Sequence, residues 1–442
     1  MQENRRERIG WYFYDWANSA FYTTVVTVFL GPYLKDITYA AADSAGFVYP
    51  LGIPIYYKSF FFYILALSFV LQFFILPILG AVADYTNKKK FLLGLFAYLG
   101  SFSTILMYFL QGSNYLFGGV LLLTANVCFG ASVVMYNAYL GEIAPPDKRD
   151  AVSSIGWAIG YLGGGIVLAA NALLFSYYEV FDISAGDAVR ISISSTGLWW
   201  AIFTIIPMLT LKVRKPIINI PNGESVLTVG FNQLKETLKD SVNYPKTLMF
   251  LFAYLCYNEG VQVVIVSASQ FGDDELGLSL GTLTMVFVIV QFVAFFGALT
   301  FNQIAKKINA KNTIMISLVI WTLSVLYAFL FLYDEFGYYL LAIVIALVLG
   351  GTQALSRSLY SNLIPIGKEA EYFSLYEVSD RGTSLIGPLV FGLALQFTGS
   401  FRIALLSICV FFVIGFLLLI RVKIPKNYNT NEMNGDKRSF NA

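Results

Sequence analysis

Twelve apolar runs, each of about 20 residues, recur along the 442-residue chain, and each is long enough to cross roughly 30 Å of hydrocarbon as a helix. They fall at 11–34, 59–82, 91–110, 116–140, 151–175, 193–211, 247–270, 281–304, 313–333, 338–363, 372–397 and 403–420. A lipid-exposed backbone must satisfy its own N–H and C=O groups, which makes an α-helix the natural state of such a run. Hydrophobic residues are 57% of the chain and charged residues 13%, about half the share of charge in a soluble domain. No single aqueous core could bury that much apolar surface, so the fold class is an all-α membrane protein.

An even number of spans puts both termini on one side. Segments on the terminal side hold 23 Lys and Arg against 4 in the opposite loops, with Arg357 and Arg381 inside spans. The positive-inside rule then places both termini in the cytoplasm. Arg5, Arg6 and Arg8 ahead of an apolar stretch could suggest a signal peptide. That stretch is too long, contains Asp15 and Asn18, and offers no small-residue cleavage site, so it reads as a retained first span.

The longest connection on the terminal side divides the spans six and six. The expected organisation is an N-terminal bundle at 1–211, a linker at 212–246, a C-terminal bundle at 247–421 and a disordered cytoplasmic tail at 422–442. Within the linker Leu227, Phe231, Leu234 and Leu238 share one helical face opposite Lys235, Glu236, Lys239 and Asp240, the pattern of an interfacial amphipathic helix. The halves echo each other weakly. Asn87 and Lys89 align with Asn309 and Lys311, Ile143-Ala144-Pro145 with Leu363-Ile364-Pro365, and Tyr14-Asp15 with Tyr257-Asn258. Repeat-built transporters carry such symmetry, with the solute site near the midplane between the repeats.

Several chemistries are excluded. The chain has no His, so His triads, His-ligated metals and His proton relays are impossible. Cys128, Cys256 and Cys409 lie singly in apolar runs without CxxC spacing, which speaks against a zinc site or disulfide frame. No cofactor and no metal are expected. A net charge of +2 provides no basic stripe for nucleic acid. The expected partners are the lipid bilayer and a small-molecule solute, with protons an open possibility, and the expected state is a monomer.

Eight spans carry no ionisable charge; the exceptions are the first (Asp15), seventh (Glu259), tenth (Arg357) and eleventh (Glu377, Asp380, Arg381). Each such charge costs at least about 2.5–3.5 kcal/mol in hydrocarbon, so all six must face a polar cavity or one another. Helical rise places Asp15, Arg357 and Glu377 about 6–9 Å from the cytoplasmic ends and Asp380, Arg381 and Glu259 about 13–18 Å deep. Arg357 and Glu377 share a level on consecutive helices and are expected as a structural or gating ion pair, although Glu377 also has Arg381 at i+4. Glu259, flanked by Asn258 and Gln262, is the lone charge of its span and is expected to serve solute or proton. Asp15, Asn18, Asp380 and Arg381 complete the candidate site, its opposite charges suiting a zwitterion.

Smaller signals are more ambiguous. Gly160, Gly163, Gly164 and Gly165 make a small-residue packing face. Trp11, Tyr12, Tyr14 and Trp16 are expected as an interfacial aromatic belt. Asn126, Asn137 and Gln353 either join helices or line a cavity.

The loop between the second and third spans reads GAVADYTNKKK (80–90). It resembles the Gly-x-x-x-Asp and basic-cluster signature of major facilitator superfamily transporters, in which Gly80 lets helices approach and Asp84 accepts hydrogen bonds from a helix N-terminus. It departs at Thr86-Asn87, where Gly is more usual, and the C-terminal counterpart NQIAKKINAKN (302–312) has Lys306 where Asp would stand. The runs WYFYDWANSAF (11–21), YNAYLGEIAPPDKRDAVSSIGWAIGYLGG (136–164), YNEGVQ (257–262), GGTQALSRSLYSNLIP (350–365) and YEVSDRGTSLIGP (376–388) are more specific. Together they resemble the vacuole-effluxer branch, the "unknown major facilitator" family that includes fungal vacuolar amino-acid effluxers linked to autophagy. In that family Asp often occupies the position of Glu259.

The resemblance implies two pseudo-symmetric six-helix bundles in the major facilitator fold. It also implies alternating access and efflux of neutral amino acids such as leucine, with proton coupling and uniport both open. The solute is expected between the first, fourth, seventh, tenth and eleventh helices. Alternatives are a carrier of another small organic solute and a receptor or scaffold. An intramembrane aspartyl protease would pair Tyr14-Asp15 with a Gly-x-Gly-Asp that the chain lacks. The expected location is a bacterial inner membrane, or the vacuolar membrane in a fungus.

Overall fold

The computed structural model describes residues 5–215, 244–365, 367–381, 386–398 and 400–422. The amphipathic helix expected at 227–238 and the tail expected from 425 lie outside the described residues.

The first span is one continuous helical rod whose middle changes pitch: an α-helix over Arg5–Ala20, a π-helix over Phe21–Phe29 and an α-helix over Leu30–Ala40. The π segment contains six consecutive β-branched residues from Thr23 to Val28, whose side chains crowd an α-helical turn. Thr27 donates its hydroxyl to the carbonyl of Tyr22, five residues back, at 2.9 Å. A small hairpin then pairs Phe47 with Tyr56 and Val48 with Ile55. Asp43 nucleates it by accepting the N–H groups of Ala45 and Phe47, each at 2.9 Å.

The second to sixth spans are Phe60–Tyr85, Lys89–Leu106, Tyr115–Ala138, Arg149–Ser176 and Ala185–Thr210. The seventh to tenth are Pro245–Asp274, Leu280–Ile308, Ala310–Leu330 and Glu335–Ser361. The eleventh is described as Glu369–Arg381 and Ile386–Thr398, and the twelfth as Phe401–Ser407 and Cys409–Arg421. Ten of these segments have the length and apolarity of a membrane span; the polar first span and the two-part eleventh complete the twelve. Starts are set by local chemistry. Ser184 and Asp187 form a reciprocal capping box on the sixth span, and Asp334 caps the tenth through the Gly337 N–H at 2.9 Å.

In the N-terminal half the first span packs on the fifth and sixth, and the fourth on the second and third. In the C-terminal half the eighth packs on the tenth and the seventh on the twelfth. The halves meet where the fifth touches the eighth and tenth and where the eleventh touches the second and fourth. Large apolar side chains such as Phe74, Phe91, Leu209, Phe296, Leu323 and Leu417 face outward, as a bilayer-embedded perimeter requires.

Candidate functional site

The face carrying Arg5, residues 211–215 and Tyr244, here the terminal face, is closed by a seam of polar groups between the halves. At its centre Arg357 of the tenth span is 2% exposed. Its Nη1 and Nη2 donate to Asp15 Oδ2 of the first span at 3.2 and 3.3 Å. Nε donates to Ser153 Oγ at 2.9 Å, Nη2 to the Ser153 carbonyl at 2.8 Å and Nη1 to Asn137 Oδ1 at 3.4 Å. Every N–H of the guanidinium thus has an acceptor, the condition for keeping a buried cation. The rings of Trp11, Trp157 and Tyr136 surround it with centroids 4.8, 5.2 and 5.5 Å from Cζ, adding cation–π attraction in a desolvated place.

The anionic side is equally organised. Tyr136 donates its hydroxyl to Asp15 Oδ2 at 2.5 Å. Trp11 stacks on Tyr136 at 4.4 Å between centroids and donates its indole N–H to the Tyr136 carbonyl at 2.8 Å. Asn137, which accepts from Arg357, donates to Glu377 Oε1 at 2.8 Å. Gly156 of the fifth span makes the room: a Cβ there would sit 2.7 Å from Asp15 Oδ2 and 2.6 Å from the Trp11 ring.

Two helix ends are clasped beside the seam. Asp84 accepts the N–H groups of Ala370 at 3.0 Å and Glu371 at 2.8 Å, placing a carboxylate on the N-terminus of the eleventh span, where the helix dipole favours it. Gly80 permits the approach, since a Cβ would fall 2.6 Å from the Ala370 carbonyl oxygen. Lys89 lies 3.5 Å from Asp84 and 2.6 Å from Glu142, and Arg214 bridges Glu142 and Glu7, 3.1 Å from each. At the other end Arg149 donates to the Ser361 carbonyl at 2.6 Å, a cation on the C-terminus of the tenth span. Ser153 donates to the Ala354 carbonyl at 2.7 Å and Ser358 to Asp150 at 2.6 Å.

Away from this floor the halves enclose a cavity. On the tenth span its lining runs from Arg357 to Tyr338, about 28 Å along the helix axis. The first span contributes Asp15, Asn18, Ser19, Tyr22, Thr23 and Thr27. Gln262, Ser267, Gln291 and Gln353 face them among apolar side chains, and Tyr161 hydrogen-bonds Gln353 across the halves. The five helices expected around the solute all line the cavity, joined chiefly by the fifth, eighth and ninth, with single residues from the second and twelfth. Among the described lining residues the charges are Asp15, Arg357 and Glu377, which sum to −1 at the floor.

The residues singled out from the sequence separate accordingly. Asp15, Asn18, Gln262, Arg357 and Glu377 line the cavity. Arg357 takes Asp15 as its ion-pair partner, 3.2 Å away, instead of the expected Glu377, which reaches it through Asn137. Asn258 and Glu259 are buried and are not among the described lining residues; Glu259 Oε2 accepts the N–H of Gly387 at 2.6 Å. Asp380 and Arg381 end the first piece of the eleventh span, and their side chains lie outside the description. The belt reading fails for Trp11 and Tyr14, which are fully buried: the indole N–H that suits an interface is taken here by the Tyr136 carbonyl. The fifth-span glycine face packs on the first span at Gly160, Gly163 and Gly164 and on Gln291 at Gly165. Tyr136, Ser153, Trp157 and Arg149 were not singled out from the sequence. All four lie within 136–164; for Tyr136, Ser153 and Trp157 the available signal was a polar or aromatic residue in an apolar span, whereas Arg149 stands between two apolar runs.

The model of the family described as "Vacuole effluxer Atg22 like" matches residues 3–432. An uncharacterised MFS-type transporter of Bacillus subtilis, YxiO, is 28% identical over 439 residues, covering 99% of each chain. Autophagy-related protein 22-1 of Penicillium rubens is 26% identical, covering 96% of this chain and 90% of the relative. Among solved structures, the transporter FucP in its outward conformation superposes with a TM-score of 0.63 at 15% identity, covering 95% of this chain and 99% of FucP. The proton:xylose symporter XylE gives 0.69 at 12% identity, covering 95% and 94%. With its twelve helices in the major facilitator fold and a family match along nearly its whole length, the chain belongs to the Atg22-like vacuole-effluxer family of major facilitator superfamily transporters.

Proposed function

We propose that the protein is an effluxer-type carrier of small neutral amino acids working by alternating access, in a cell membrane and with both termini cytoplasmic. The observation that carries this reading is the cavity between the halves, sealed at the terminal face by the Asp15–Arg357 seam. The Lys/Arg asymmetry supports the orientation, which makes this the outward-facing state. The polar lining from Asn18, Ser19, Gln262 and Gln353, mixed with apolar walls, suits a solute that is polar at one end and hydrocarbon at the other. Asp15, Asn18, Gln262 and Glu377 are the proposed solute contacts, while Glu259 orders the eleventh span around Gly387. The effluxer type and the amino-acid class rest on the family.

Counterflow in proteoliposomes tests this. Vesicles loaded with unlabelled leucine, alanine or tyrosine should accumulate the labelled amino acid, against empty-liposome controls. Glu259→Gln tests proton coupling: a variant that exchanges but no longer concentrates solute on a pH gradient assigns the proton to Glu259. Entry of no label with correctly inserted protein would overturn the amino-acid reading.

A further inference from the structure

We infer that Asp15 Oδ1 is the docking point for a solute's ammonium group, and that a cation seated there loosens Arg357 and unlocks the terminal face. The inference rests on the carrier reading and names the end of the solute that triggers the change.

The two oxygens of this carboxylate have different employment. Oδ2 takes the Tyr136 hydroxyl and both Nη groups of Arg357. Oδ1 receives no hydrogen bond from any described residue, on a side chain that lines the cavity and keeps 10% of its surface exposed. Asp15 as a whole is 7% exposed, so a ligand reaching Oδ1 meets an anion largely stripped of water, where an ionic hydrogen bond is strong. Arg357 offers a solute carboxylate nothing comparable. Its N–H groups are all engaged and its faces are covered by Trp11, Tyr136 and Trp157.

The charge balance points the same way, since the described lining sums to −1 and carries its charges only at the floor. Asn18 and Ser19, three and four residues along the same helix, stand on the same face and supply further oxygens for the other N–H donors of a primary ammonium. Arg357 and an incoming ammonium then compete for one negative charge. Cation binding at Oδ1 weakens the seam, and by linkage opening of the seam strengthens cation binding.

The test uses the full chain in nanodiscs, with spin labels at positions 147 and 307 on the terminal face of opposite halves and native cysteines replaced. Three probes share one hydrocarbon skeleton: leucine, 3-methylbutylamine without the carboxylate, and 4-methylpentanoate without the ammonium. Leucine and the amine should lengthen the 147–307 distance and bind at least about 10-fold more tightly than the acid. Asp15→Asn should erase the preference of amine over acid, and Asp15→Glu should retain it. If Asp15→Asn does not fold, the wild-type comparison decides alone. An acid as effective as the amine, or silence of all three probes, overturns the inference. Leucine counterflow without amine selectivity would sink the docking point and leave the carrier standing; amine-driven opening without amino-acid counterflow would do the reverse.

Discussion

Arg357→Met removes the cation of the seam while keeping an unbranched side chain between the rings of Trp11 and Trp157. The wild-type guanidinium makes two bonds to Asp15, two to Ser153 and one to Asn137. Its loss leaves the Asp15 carboxylate buried with only the Tyr136 hydroxyl, and breaking one side of a buried ion pair costs about 3–5 kcal/mol. The penalty falls on the closed terminal face, because opening lets water reach Oδ2, the oxygen the seam holds, and not only the oxygen turned to the cavity. At about 1.4 kcal/mol per decade, the ratio of open to closed should rise about 140- to 3700-fold, enough to reverse a moderate preference. Double electron–electron resonance between labels at 147 and 307 reads that ratio directly. Asp15→Asn combined with Arg357→Met leaves no orphaned charge and should shift the distribution less than Arg357→Met alone. An unchanged distribution in the single variant, or a double variant that opens just as far, would refute the reasoning.

Other expectations follow from the neighbouring geometry. Gly156→Ala would push a methyl group against Asp15 Oδ2 and the Trp11 ring, at 2.7 and 2.6 Å; overpacking of about 1–3 kcal/mol should favour the open terminal face, visible as faster thiol labelling of a cysteine placed at Ser153. Asp84→Asn removes the charge at the start of the eleventh span, worth about 1–2 kcal/mol. Amide exchange at Ala370 and Glu371, which bond Asp84 now, should accelerate selectively. Glu259→Gln keeps an oxygen for the Gly387 N–H and should fold like the wild type. Glu259→Leu leaves that N–H without its acceptor and should cost about 1–3 kcal/mol, read as a lower thermal midpoint in detergent.

The spans were legible because hydrocarbon thickness sets a length that apolar runs of this kind display. The π segment of the first span was not marked out in advance, although the β-branched run at 23–28 was its signal. For the site, helical rise placed Asp15, Arg357 and Glu377 at one level but left their azimuths open. Level alone could not distinguish a neighbour on the next helix from one 342 residues away in sequence. Tyr136, Ser153 and Trp157 are neutral, so a search keyed to charge passes over them, yet they supply most of the packing and much of the hydrogen bonding around Arg357. Asp84 and Gly80 were more readable, through the resemblance of GAVADYTNKKK (80–90) to a family signature and not through their spacing alone.

The central claim is that solute crosses only when the terminal face opens. Gly141 and Glu369 lie on opposite halves at that face, with a Cβ at position 141 standing 3.3 Å from Glu369 Cγ, close enough for a disulfide between cysteines placed there. Leucine counterflow by the Gly141→Cys/Glu369→Cys variant, otherwise free of cysteine, should stop on oxidation and return on reduction. Full-rate counterflow through a face verified as cross-linked would contradict the account.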